Sequence, residues 1–170
     1  EEKELYTNLG QLITILHQTQ IAGGGFIEMD GQAGHSSFAE WVRSWLTENL
    51  RIWEKSPINT SHASSYIEQY IDIFLKGTKL KPSCLLHYDL IDQNIRIDNT
   101  TKEITGIIDY GDLFVGPPEW DFVRPYIQHF GTDKFSFILA GYNQQLAICE
   151  ILPYVIIEIA WALPYALEDD

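Results

Sequence analysis

Leu5, Leu9, Leu12, Ile13 and Leu16 recur at intervals of three and four residues or close to it, the spacing that gathers side chains on one face of an α-helix. Phe38, Trp41, Val42, Trp45 and Leu46 repeat the pattern with Trp53 in phase, and Tyr66, Ile67, Tyr70, Ile71, Phe74 and Leu75 form a third stripe. Each stripe predicts a helix that buries one side. Polar residues mark the ends. Ser37-Phe38-Ala39-Glu40 is a capping-box signature, Pro57 separates the second helix from the third, and Gly77 is placed to end the third. Gly23-Gly24-Gly25 reads as a flexible connector, because no strand–turn–helix context surrounds it to present backbone amides to a phosphate.

Beyond Cys84, itself in a predicted strand, the period shortens. Ile95 and Ile97 alternate with Arg96 and Asp98, Asp98-Asn99-Thr100-Thr101-Lys102 carries turn chemistry, and 104–108 returns apolar, which predicts a tight β-hairpin. Gly116-Pro117-Pro118 then interrupts the chain, and helical stretches are predicted near 120–129, 133–147 and 150–167. The order is helices, short strands, helices: an α+β fold, mostly α, with a small hairpin supported on packed helices.

Composition narrows the class. A chain of 170 residues, 45% hydrophobic and 21% charged, is long enough for one sizeable core and reads as a single domain over 1–170. The longest apolar run, 151–167, is broken by Pro153, Glu158 and Pro164 and reads as a core helix rather than a membrane span; no basic leader precedes an apolar segment at the amino end, and the expected location is cytoplasmic. Cys84 and Cys149 lack metal-site spacing and read as buried thiols in a reducing compartment. The formal net charge of −13 argues against a nucleic-acid polymer or an anionic membrane as partner; it suits a cationic substrate, although general solubility is the simpler explanation.

The chemistry concentrates in His87-Tyr88-Asp89-Leu90-Ile91-Asp92-Gln93-Asn94, which fits H-x-D-x-x-x-x-N, followed by Ile107-Ile108-Asp109-Tyr110-Gly111. In that pattern the aspartate accepts the proton of an attacking hydroxyl, the asparagine turns back to hold a metal ion, and an aspartate at the end of an apolar strand bridges phosphates through magnesium. Phosphoryl transfer needs little covalent help, so positioning and charge neutralisation suffice for catalysis. A hairpin between the two motifs places Asn94 beside Asp109. Asp92 reads as a solvated loop residue. His17, His35, His62 and His129 read as packing or surface residues without metal spacing.

From about 85 to 122 the chain resembles the C-terminal lobe of the aminoglycoside phosphotransferase and choline kinase family, which has a protein-kinase-like fold. The helix 12–17 and Gly25-Phe26-Ile27 are similar, less specifically, to the start of that lobe. The resemblance implies Asp89 as catalytic base, Asn94 and Asp109 as Mg2+ ligands, His87 as a brace of the catalytic loop, and Asp121 as a buried support that hydrogen-bonds the loop backbone. It implies ATP or GTP as donor and a small-molecule hydroxyl as acceptor, such as an aminoglycoside or choline-like compound. Glu119, Glu158 and Trp161 fall where the family builds its acceptor pocket, and Asp112 where it often carries another carboxylate.

Two departures qualify that reading. Tyr88 stands where protein kinases have the arginine that reads a phosphorylated activation loop, so control by that route is not expected. No G-x-G-x-x-G, G-x-x-x-x-G-K-[ST] or V-A-I-K element occurs, so the nucleotide-binding N-terminal lobe is expected to be absent or separately supplied. The alternatives are a non-catalytic kinase-like remnant acting as an interaction module, and a metal-dependent phosphohydrolase, for which no second His/Asp cluster is evident.

Overall fold

The computed structural model describes residues 1–55, 63–77 and 80–166. The first stripe forms α1 (Glu2–Leu16), which buries Tyr6, Leu9, Gly10, Ile13 and Thr14. Its partner is α5 (Lys134–Gly141), and glycines make their close approach. A Cβ on Gly10 would stand 2.1 Å from the Ile138 carbonyl oxygen, and one on Gly141 would stand 1.9 Å from that of Thr7.

Two further helices follow the second and third stripes, α2 (Phe38–Lys55) and α3 (Ala63–Gly77). Phe38, Trp41, Val42 and Leu46 are buried and Trp45 partly so; Ile71 and Phe74 are buried, but Tyr66 is exposed. Pro57, His62 and the side chain of Trp53 lie outside the described residues. At the start of α2 the Ser37 hydroxyl accepts the Glu40 N–H at 3.2 Å, as a capping box requires. The Glu40 carboxylate instead takes the backbone N–H of Ser36 at 3.0 Å, together with the Ser36 hydroxyl, one residue earlier than the motif specifies.

The expected connector 23–25 is largely a strand. Four strands, β1 (Gly24–Ile27), β2 (Ala33–His35), β3 (Cys84–Leu86) and β6 (Phe114–Gly116), form an antiparallel sheet in the order β2-β1-β6-β3. The glycines serve close packing: a Cβ on Gly24 would lie 2.3 Å from the Phe38 backbone, and Gly25, at φ +98°, would place one 2.7 Å from the Trp41 ring. Glycine is thus used where α2 presses onto the strand. In β6, Phe114 pairs with Phe26 and Leu86, and Val115 with Gly25 and Leu85.

The hairpin is β4 (Ile95–Ile97) with β5 (Ile104–Ile107), in the register Ile95 to Ile107 and Ile97 to Ile104. Asp98 closes its turn by accepting the N–H groups of Thr100 and Thr101 at 2.7 and 2.8 Å. After β6 a 3-10 turn, Pro118–Phe122, leads into the short α4 (Val123–Gln128), and α6 (Ile148–Ala166) closes the described chain. The predicted stretch 120–129 therefore begins as a 3-10 turn, and 133–147 ends early, at Gly141. Phe114, Trp120 and Tyr88 stack, with Trp41 set edge-on to Phe114 at 4.6 Å and Tyr154 edge-on to Trp120 at 5.6 Å. This aromatic core ties the sheet to α2 and α6. No helix among the described residues is long and apolar enough to cross a membrane. Cys84 is buried, and burial pushes its thiol up to about 12, whereas Cys149 is exposed, contrary to expectation, on the outer side of α6.

Candidate active site

The segment between β3 and β4 is held from below by one buried carboxylate. Asp121 Oδ2 accepts the His87 N–H at 3.0 Å, Oδ1 accepts the Tyr88 N–H at 2.6 Å, and His17 Nε2 lies 3.0 Å from Oδ2. His17 Nδ1 in turn meets the Tyr142 hydroxyl at 2.8 Å. A fully buried carboxylate is costly unless its lone pairs are filled, and here they are filled largely by the loop it supports. His87, also fully buried, sends Nε2 to the Ile108 carbonyl at 2.9 Å and sets its ring against Tyr110 at 4.7 Å, joining this loop to the segment after β5.

Tyr88 adopts φ +73°, a left-handed conformation that costs a non-glycine residue about 1–3 kcal/mol and persists only where surrounding contacts over-determine it. Its ring lies in the aromatic core while its backbone turns the next residue, the half-buried Asp89, away from that core. A 3-10 turn, Asp92–Asn94, then brings Asn94 back. Its Nδ2 donates to the Asp89 carbonyl at 2.9 Å and to Asp89 Oδ2 at 3.0 Å.

The hairpin carries the third residue to this place. Beyond the Ile95 and Ile107 pair, the Ile108 N–H donates to the Asn94 carbonyl at 2.9 Å, and Asp109 follows, exposed and left-handed at φ +66°. Among the described residues three non-glycine positions have positive φ, and two of them, Tyr88 and Asp109, are here. The structure therefore pairs Asn94 with Asp89 and sets Asp109 on the segment whose Ile108 N–H bonds the Asn94 carbonyl, with His87 and Asp121 bracing the loop. Their donor types fit Mg2+: Asn94 directs its amide nitrogen to Asp89, which leaves its Oδ1 free for another partner, and Asp109 offers an exposed carboxylate. Among the described residues there is no group of three His, Cys, Asp or Glu side chains that could hold a metal ion.

The acceptor-pocket candidates separate. Glu119 is buried and its Oε1 meets Lys81 Nζ at 2.7 Å; Lys81 precedes β3, at the strand end opposite the loop. Glu158, on α6, is buried nearer the loop. Its Oε1 lies 2.7 Å from Arg124 Nη2, poorly aligned for a hydrogen bond, and its Oε2 accepts a long contact of 3.5 Å from the Tyr88 hydroxyl. Burial pushes the Glu158 carboxyl above its usual range, Arg124 and the Tyr88 hydroxyl oppose the shift, and the Asp89 charge adds to it. Trp161, half-buried, follows about one turn later on the same helix.

Sequence reasoning missed His17 and Asp92. His17 lies four residues beyond the buried Ile13 on the core face of α1, and a polar residue in phase with an apolar stripe was the available signal. Asp92 is exposed, as expected, and is in addition bonded on several sides.

A profile of the phosphotransferase enzyme family matches residues 1–153. The chain belongs to that family. Solved structures with the same fold include a thermostable mutant of aminoglycoside phosphotransferase APH(4)-Ia in ternary complex with AMP-PNP and hygromycin B (TM-score 0.72, 16% identity, covering 99% of this chain and 60% of that one). Choline kinase LicA from Streptococcus pneumoniae is similar at TM-score 0.68 and 16% identity, covering 98% and 56%, and the streptomycin–ATP complex of APH(2")-IIa at 0.64 and 19%, covering 98% and 55%. The chain thus spans 55 to 60% of the length of these family structures.

Proposed function

We propose that this chain is the C-terminal, catalytic and acceptor-binding lobe of a small-molecule kinase, a single unit over 1–170, that transfers the γ-phosphate of ATP or GTP to a hydroxyl. The observation that carries the reading is the pairing of Asn94 with Asp89 on a loop pinned by Asp121, with Asp109 one residue beyond the Ile108 N–H that donates to the Asn94 carbonyl. Asp89 accepts the proton of the acceptor hydroxyl, and Asn94 holds Asp89 in place through its amide while presenting its own oxygen to the metal side. Asp109 supplies the second ligand from a backbone that points its carboxylate away from the core. Magnesium bound there with the nucleotide phosphates would neutralise the charge that builds on the transferred group. Nucleotide and aminoglycoside complexes among the similar solved structures support a nucleotide donor and a small acceptor.

Transfer of labelled γ-phosphate from Mg-ATP to a panel of aminoglycosides and choline, with the chain joined to a family-type nucleotide-binding lobe, tests the reading. Asp89→Asn is expected to lower turnover on the order of 10²- to 10⁴-fold while sparing nucleotide affinity. Turnover unchanged by that substitution would remove Asp89 from the chemistry.

A second reading, an interaction module, draws on an apolar cavity of about 280 Å³ between α1 and β5, lined by Leu12, Ile15, Leu16, Ile104, Ile107 and Tyr110, with Ile15 and Tyr110 exposed. It predicts that Asp89→Asn leaves the chain's biological role intact.

A further inference from the structure

We propose that Asp92 is the anchor of the 87–94 loop and that Tyr6, Gln128 and His129 are positioning residues that act through it. The inference rests on the reading of Asn94 as a metal ligand. The loop is fixed at its start by Asp121, but between Asp89 and Asn94 only a single 3-10 turn intervenes, and the hydrogen bonds from Asn94 to Asp89 are internal to it. A second external attachment is needed to fix where that turn stands relative to the helices.

Asp92 supplies it. The Tyr6 hydroxyl donates to its Oδ1 and Oδ2 at 3.2 and 3.1 Å, and His129 Nε2 lies 3.2 Å from Oδ1. The Asp92 N–H donates to Gln128 Oε1 at 2.9 Å, and Gln128 Nε2 reaches Gln93 Oε1 at 3.3 Å. Tyr6 comes from α1, whereas Gln128 ends α4 and His129 follows it, so two separate elements grip one loop residue from two sides. Tyr6 and His129 are both buried, with rings edge-to-face at 4.9 Å, yet their polar atoms are aimed outward at this carboxylate. Tyr6 is itself held from α5, where Lys134 lies 5.2 Å from its ring centroid and pairs with Glu2 at 2.9 Å. Such an investment of buried polar groups in one exposed carboxylate fits a device that sets the loop's position. Asn94, two residues on, inherits that position.

Hydrogen–deuterium exchange on the full 170-residue chain decides the matter without any ligand. Tyr6→Phe and Asp92→Asn, both near-isosteric, should each raise amide exchange across 90–95 on the order of 10-fold, with the double variant no faster than the single ones and with β6 and α6 unchanged. In the chain joined to a family-type nucleotide-binding lobe, binding of Mn2+ together with AMP-PNP, followed by the Mn2+ resonance signal, should weaken several-fold in the same variants, while AMP-PNP without metal binds as before. Exchange that is unchanged at 90–95, or that rises uniformly over the core, would overturn the anchor. Failure of the unsubstituted joined protein to bind Mn2+ and AMP-PNP would count against the kinase reading instead, and the exchange pattern would still decide whether Asp92 anchors the loop.

Discussion

Asp109 sits at φ +66° at the end of an apolar strand, exposed, two residues before Gly111; a carboxylate held in that conformation is directed by the backbone rather than by its own hydrogen bonds. Asp109→Ala should therefore abolish Mg-dependent nucleotide affinity with little change in the thermal midpoint, since no packing is lost. Glu158 gives a prediction of opposite kind. A carboxyl whose folded pKa is raised holds its proton more tightly when folded, so the stability it contributes is present at low pH and is lost as pH rises through the raised value. Glu158→Gln fixes the neutral form. Native and variant should unfold alike in acid, and the variant should become the more stable as pH climbs above the ordinary 4.5; denaturant titrations at acid and neutral pH would show the gap opening, and a native chain that becomes the more stable at neutral pH would mean the Arg124 pair dominates. Asp89, Asn94 and Asp109 were legible as candidates because the chemistry proposed for them fixes their spacing along the chain. His17 and Asp92 were not, because a residue that acts by holding another leaves its signature in three dimensions: His17 meets Asp121 across 104 positions of chain, and Tyr6 meets Asp92 across 86.

Among the elements, helices and the hairpin followed their periods closely, and the four-stranded sheet did not announce itself. Its strands are three or four residues long, and β6 is buried at every position, so no alternation marks it. The glycines at 23–25 and the Gly-Pro-Pro at 116–118 looked like breaks, whereas Gly24, Gly25 and Gly116 are strand residues that let neighbouring groups approach. The same use of glycine joins α1 to α5. Gly10→Ala forces a methyl against the Ile138 carbonyl and should destabilise by about 1–3 kcal/mol, read from the denaturation midpoint. At the other end of the scale, Ser37→Ala removes only the α2 cap and should cost about 1 kcal/mol by the same measurement. A Gly10→Ala loss no larger than the cap's would mean the two helices can separate without penalty.

For the molecule as a whole, the sheet, the aromatic core and α6 form a packed base beside which the 87–94 loop and the segment after β5 meet through the Ile108 N–H and the Asn94 carbonyl. The acidity of the chain adds less: of the two buried glutamates put forward for a cationic acceptor, Glu119 is occupied by Lys81 and Glu158 by Arg124. The central claim is that Asn94 and Asp109 together hold the metal–phosphate group. Calorimetric titration with Mg-ATP of the chain joined to a family-type nucleotide-binding lobe, beside Asp109→Ala in the same joined protein, tests it most directly. The account predicts binding by the unsubstituted joined protein that weakens sharply in the variant and when magnesium is withheld; binding equally tight in all three would contradict it.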